Sequence, residues 1–286
     1  METKKVVIVI SIIISLVIIS SITVSNPLLV DRAFYRMGFQ EQICFVNYDD
    51  GFQSDNVTNI ASVGDFGINE NSIKTLKNIQ LNNPEIILIP GDIGQSTVKD
   101  WNELSQFMMN DNMYIALGDS DLAEGNDYLK HFGLSDDYYS FDYENIHFLA
   151  ISINPESHTE FGIHSDNIQL DFIRTDLSGA ADNPKTDWII VFMHHPMYTS
   201  SPNSFSMDLR NALQPMFDRY GVNLVINGHA HAYERTNPMM FNNIITDDAD
   251  CLYEYPDGQI YLTVGTGGHS HLKFKQKQPW SVIQNH

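Results

Sequence analysis

Three apolar runs in this chain end in the same two residues, Gly-Asp. They are "ASVGDFG" at Ala61–Gly67, "LIPGDIGQ" at Leu88–Gln95 and "ALGDSDLAEG" at Ala116–Gly125. The aspartates, Asp65, Asp92 and Asp119, stand 27 residues apart in both intervals. A strand–helix–strand crossover takes about 30 residues. Helical spacing fills both gaps: Ile73, Leu76 and Ile79 in the first, Trp101, Leu104 and Met108 in the second. The spacing therefore predicts three adjacent parallel strands with an aspartate at each carboxyl end, the edge where open α/β sheets place ligands.

Two later strands end in histidines: "DWIIVFMHHP" at Asp187–Pro196 and "NLVINGHAHAYER" at Asn223–Arg235. A hairpin is expected over Tyr138–Ser152, a helix over Asn167–Ala180 and a last strand in "QIYLTVGTGGHSH" at Gln259–His271. Five strand ends thus carry Asp65, Asp92, Asp119, His194 with His195, and His229 with His231. One strand-end aspartate is an ordinary helix cap. Caps do not account for two histidines flanking one alanine. On a strand, His229 and His231 would face the same side, as a shared metal pocket needs. Oxygen and imidazole ligands together suit zinc, manganese or iron.

"GDFG", "GDIG", "MHHPMY" and "GHAHAYER" resemble the motifs of the calcineurin-like metallophosphoesterases, and the Tyr-Glu-Arg ending those of the purple acid phosphatase branch. The resemblance implies a four-layer α/β/β/α sandwich and a centre of two metal ions, Fe, Zn or Mn. Asp65 and His231 would hold the first ion, Asp92 would bridge, and His194, His229 and Asp119 would hold the second. It implies hydrolysis of a phosphate monoester or diester by a water activated between the cations, attacking phosphorus in line. The alternative is a catalytically weak relative that binds metal or a phosphorylated ligand.

Four positions depart from the family pattern. Asp119 replaces an asparagine ligand, adding negative charge. Ser120 replaces the histidine that would protonate the leaving group, and loss of a general acid costs typically about 10²–10⁴-fold. Gln95 replaces the tyrosine of the purple branch, and Gly67 stands where the wider family has a histidine, leaving the first ion fewer ligands. His195 is a substitute acid candidate, as are His269 and His271. The expected catalytic set is Asp92, Asp119, Ser120 and His195.

Composition sets the surroundings. The formal charge of −20 disfavours nucleic acid and anionic membrane surfaces. "METKK" precedes a charge-free run, Val6–Val24, roughly 28 Å long as a helix. Without an A-x-A site after it, this run reads as an uncleaved anchor rather than a signal peptide, and the rest of the chain would lie outside the cytoplasm. The expected organisation is an anchor or signal at 1–25, a lead at 26–56 and a catalytic domain at 57–286. Cys44 and Cys251 are equally consistent with one disulfide and with two thiols. His147 reads as structural. Few residues follow "GTGG", so either a smaller second sheet or a truncated chain is expected, with a loose tail around Lys273–Lys277.

Overall fold

The computed structural model describes residues 58–94, 97–106, 112–153, 168–202, 207–245 and 258–285. The expected anchor, the lead, Cys44, Cys251 and Gln95 lie outside these residues. Among the described residues no helix is long and apolar enough to cross a membrane.

Strands β1 (Ile60–Ser62), β2 (Ile86–Pro90) and β3 (Met113–Ala116) form a parallel sheet in that order. Helices α1 (Glu70–Asn82) and α2 (Val98–Ser105) are the crossovers, and α3 (Gly125–Phe132) follows β3. The sequence "IILIP" is buried along its whole length, as a parallel strand covered on both faces must be. Leu76, Ile79, Trp101, Leu104 and Tyr128 pack on the outer face with Ile87, Ile89 and Ile115. Asn69 caps α1 by accepting from the Asn71 and Ser72 amides, and its own amide group donates to the Gly268 carbonyl at 3.0 Å. The start of α1 is thereby tied to the far sheet.

That second sheet has seven strands. They include β4 (Tyr139–Tyr143), β5 (Ile146–Ile151), β6 (Trp188–Met193), β7 (Leu224–Asn227) and β8 (Tyr233–Thr236). After a short hairpin, β9 (Met239–Met240) and β10 (Asn243–Ile244), come β11 (Ile260–Val264) and β12 (Ser281–Asn285). The order is β12-β8-β11-β7-β6-β5-β4. Ile60, Leu88 and Ala116 of the first sheet meet Phe148, Phe192 and Ile226 of the second. Helices α4 (Ile168–Asp182) and α5 (Met207–Tyr220) cover the outside through Ile173, Leu177, Leu213 and Phe217. The result is the expected four-layer α/β/β/α sandwich.

Two expectations are corrected. The tail is not loose. Residues 281–285 extend the sheet as β12, and the Asn237 N–H donates to the Trp280 carbonyl at 2.8 Å. Nor does the Asn223–Arg235 strand run through its histidines. β7 stops at Asn227, a turn follows, and β8 pairs antiparallel with β11.

His147 is structural, as expected. It is buried on β5 and bridges Asp142 of β4 at 2.7 Å and Asp176 of α4 at 2.9 Å. Burial disfavours its charge, but the two carboxylates outweigh burial and raise its pKa above the usual histidine value. A raised folded-state pKa stabilises the fold fully below the unfolded-state pKa of about 6.5 and is lost as pH rises through the folded-state value. Urea unfolding of wild type and His147→Gln between about pH 5 and 9 checks this. The wild-type advantage should shrink as pH rises, and an advantage that grows with pH would contradict it.

Candidate metal centre

The carboxyl ends of β1, β2 and β3 converge on the ends of β6 and β7. Asp65 and Asp92 have left-handed backbones, with φ of 60° and 50°. Such conformations are unfavourable for non-glycine residues and cluster at functional sites. The loops are stitched together through the main chain: Asp65 N–H donates to Gly91 C=O at 3.1 Å, and Phe66 N–H to Asp92 C=O at 2.9 Å. A Cβ at Gly91 would run into the His194 ring, and one at Gly118 into Asp92. Glycine before Asp92 and before Asp119 is therefore a packing requirement: it lets the carboxylate-bearing loops touch.

The side chains gather in two groups that share His194. One is Asp119, His194 and His229; the other is Asp65, Asp92 and His194. In each, the donor atoms lie within 4.8 Å of one another. His194 Nε2 is 2.9 Å from Asp119 Oδ1 and 3.4 Å from Asp92 Oδ1, while its Nδ1 side faces the Pro90 carbonyl at 3.0 Å. That carbonyl fixes the ring with Nε2 turned into the cluster. His229 Nδ1 is 3.3 Å from Asp119 and 3.2 Å from His194 Nε2. His231 Nε2 is 3.4 Å from Asp65 Oδ1, and its Nδ1 side meets the Ser270 carbonyl at 3.1 Å. His229 and His231 reach one pocket because both adopt left-handed backbones, φ 66° and 43°, in the turn after β7. Convergence comes from the turn and not from strand alternation.

Electrostatics fit a cation. Hydrogen bonds from His194 and then His229 hold the Asp119 carboxyl well below the usual range. Burial opposes charge on His194, yet Asp119, Asp92 and Asp65 raise its pKa to about 10. A buried imidazole so surrounded by carboxylates takes either a proton or a metal ion, so metal binding competes with protons. Oxygen and nitrogen donors with no thiolate fit a hard or borderline divalent ion.

The remaining expected residues are placed as follows. Ser120 sits beside Asp92 and donates to it twice, from N–H to Oδ1 at 3.1 Å and from Oγ to Oδ2 at 2.9 Å. The His195 ring lies 4.5 Å from that of His229, with Nδ1 buried and without a partner among the described residues. Burial, then the charges of His194 and His229, push its pKa down to about 3, so the ring is neutral near pH 7. His269 packs on His231 at 4.0 Å between ring centres.

Two buried carboxylates escaped the motif reading. Asp121 accepts from the Gly118 N–H at 2.8 Å and the Ile93 N–H at 2.9 Å, pinning the loop after β3 to the loop after β2. Its position two residues beyond Asp119 was the available signal. Glu234 accepts from the Thr199 hydroxyl at 3.0 Å, the Ser200 N–H at 2.6 Å and the Ser200 hydroxyl. It thereby holds the loop that follows His194 and His195.

The family model described as calcineurin-like phosphoesterase matches residues 58–233. Purple acid phosphatase 21 of Arabidopsis thaliana is 28% identical over 76% of this chain and 52% of its own length. A relative named probable inactive purple acid phosphatase 1, also of Arabidopsis thaliana, is 30% identical over 52% of this chain and 24% of its own length. The solved structure of a purple acid phosphatase from yellow lupin (Lupinus luteus) seeds superposes with a TM-score of 0.63 at 20% identity, covering 79% of this chain and 47% of that one. The chain spans about half the length, or less, of these relatives.

Replacing Asp121 by Ala strips two buried amides of their acceptor, at about 1–3 kcal/mol for each unsatisfied group. Urea unfolding should show Asp121→Ala destabilised by at least about 1 kcal/mol. A variant as stable as wild type would mean that the Asp121 staple is not formed.

Proposed function

The chain belongs to the calcineurin-like phosphoesterase family, and on that premise we propose that it hydrolyses phosphate esters at a centre of two divalent cations. Asp65 and His231 would hold one ion, Asp119, His194 and His229 the other, and Asp92 would be shared between them. The observation that carries this reading is the pair of donor groups, Asp119 with His194 and His229, and Asp65 with Asp92 and His194, gathered where the strand ends of the two sheets meet. When bound, the cations supply positive charge that favours deprotonation of an attacking water and neutralises phosphate oxygens.

The protein's own groups set the geometry. Asp65 is fixed by the His229 N–H at 2.8 Å, and Asp92 by Ser120. The Asp119 side chain is 41% exposed, so the group it shares with His194 and His229 opens toward solvent and an arriving ester. With its hydroxyl committed to Asp92, Ser120 acts by orienting that carboxylate. No imidazole stands at position 120 to protonate a leaving group, so esters with acidic leaving groups are the better substrates. His195 offers a neutral ring beside His229, the nearest alternative source of a ring N–H.

A second reading, a catalytically weak metal- or phosphate-binding relative, is favoured by Ser120 and by the resemblance to a relative named probable inactive. In either case the domain is taken as residues 57–286, with phosphorylated small molecules and not nucleic acid as partners. Val6–Val24 is proposed as a membrane anchor with the domain outside the cytoplasm, on the strength of its charge-free length.

The test is the metal-stripped chain reloaded with Zn, Mn or Fe and assayed on p-nitrophenyl phosphate and a bis-ester. Metal-dependent turnover should appear and fall by at least about 10²-fold in Asp92→Ala. A silent wild type that gains activity in the Asp119→Asn, Ser120→His double variant would instead establish the second reading.

A further inference from the structure

The charge of this chain is unevenly distributed. It carries 36 acidic and 16 basic residues in all, yet no Asp or Glu stands between Gly258 and His286. The same stretch contains Lys273, Lys275 and Lys277 within "HSHLKFKQKQ", as well as His269 and His271. This cationic segment begins at the metal centre. The His269 N–H donates to the Asp65 carbonyl at 3.2 Å, the Ser270 carbonyl faces His231 Nδ1 at 3.1 Å, and the Leu272 N–H donates to the His231 carbonyl at 3.2 Å. Residues 269–272 therefore form the wall of the site on the His231 side.

Beyond the wall the segment stays fastened. The Gln278 N–H donates to the Ser200 hydroxyl at 3.1 Å, on the loop that Glu234 holds, and β12 follows. Between these anchors His271, Lys273 and Lys275 are exposed while Leu272 and Phe274 are half-buried. Exposure alternates along this stretch, so His271, Lys273 and Lys275 present their side chains to solvent on either side of Leu272 and Phe274. The Lys277 ammonium is occupied by the Val282 carbonyl at 2.9 Å. Neither Lys273 nor Lys275 makes an ion pair among the described residues. Two ammonium groups with no ion pair among the described residues, following the His231 wall in a chain of net charge −20, form a local anion-attracting strip against the long-range field.

We propose that Lys273 and Lys275 are specificity-determining residues that bind a further phosphate group of the substrate, so that the site prefers phosphorylated compounds with more than one phosphate. This rests on the phosphoesterase reading above and deepens it. The cation centre takes the scissile phosphate and the strip takes the next. Screening limits each exposed lysine to roughly two- to fivefold at low ionic strength, less as salt rises.

The experiment uses the metal-loaded full chain at low salt and compares kcat/KM for inorganic tripolyphosphate with that for p-nitrophenyl phosphate. Lys273→Gln/Lys275→Gln should lower the tripolyphosphate-to-nitrophenyl ratio by roughly fivefold or more, through KM, with the loss shrinking in salt. Lys185→Gln is the control, an exposed lysine just before β6 at the opposite end of the strands. It should leave the ratio in place. An unchanged ratio in the double variant, or an equal fall in Lys185→Gln, overturns the proposal. Should wild type turn over neither substrate, the phosphoesterase reading fails separately. The strip is then read by calorimetry with tripolyphosphate and orthophosphate on the metal-loaded chain. Selective loss of tripolyphosphate affinity in the double variant sustains it, and equal affinities in wild type and variant overturn it.

Discussion

The Asp92 carboxylate is the point on which the site's geometry depends. It receives the Ser120 amide and hydroxyl from the loop after β3, and His194 Nε2 from the loop after β6 lies 3.4 Å away. Its own main-chain carbonyl accepts the Phe66 N–H from the loop after β1. Four segments distant in sequence therefore share one residue, held in a left-handed backbone that only surrounding structure can enforce. The two sheets need each other here. The first supplies the carboxylates and the second the imidazoles, and the apolar layer between them, Ile60 and Leu88 against Phe148 and Ile226, fixes their separation.

The sequence made the strand ends legible because βα repetition is a matter of length. An interval of 27 residues twice over leaves room for one strand and one helix each time, and the three parallel strands are there. Spacing could not reveal the turn at His229 and His231. Strand alternation predicts their convergence for the wrong reason, and left-handed backbones at two non-glycine residues are invisible to pattern. Asp121 and Glu234 were likewise missed, because a carboxylate that accepts backbone N–H groups looks in sequence like any surface acid. The tail was misjudged for a related reason. Its attachment at Leu272, Gln278 and Trp280 is made mainly by main-chain hydrogen bonds, which leave no compositional mark.

The departures at the third corner have a physical consequence. Asp119 adds a charge where a neutral amide would serve, and Ser120 turns its hydroxyl to Asp92. Both changes favour holding a cation over assisting a leaving group. The acidic surface repels anions at long range, while the segment after Gly258, free of Asp and Glu, carries its lysines next to the His231 wall. Global charge and local charge thus act in opposite senses at this site.

Calorimetric titration of zinc into the stripped chain tests most directly whether the cluster around Asp92 and His194 is a cation site. Saturable binding of two ions per chain is expected. His194→Ala should weaken binding, because that ring lies within both donor groups, while His195→Ala, which removes a neighbouring ring outside them, should bind as wild type does. Absence of saturable binding in wild type, or equal binding by His194→Ala, would contradict a cation site there.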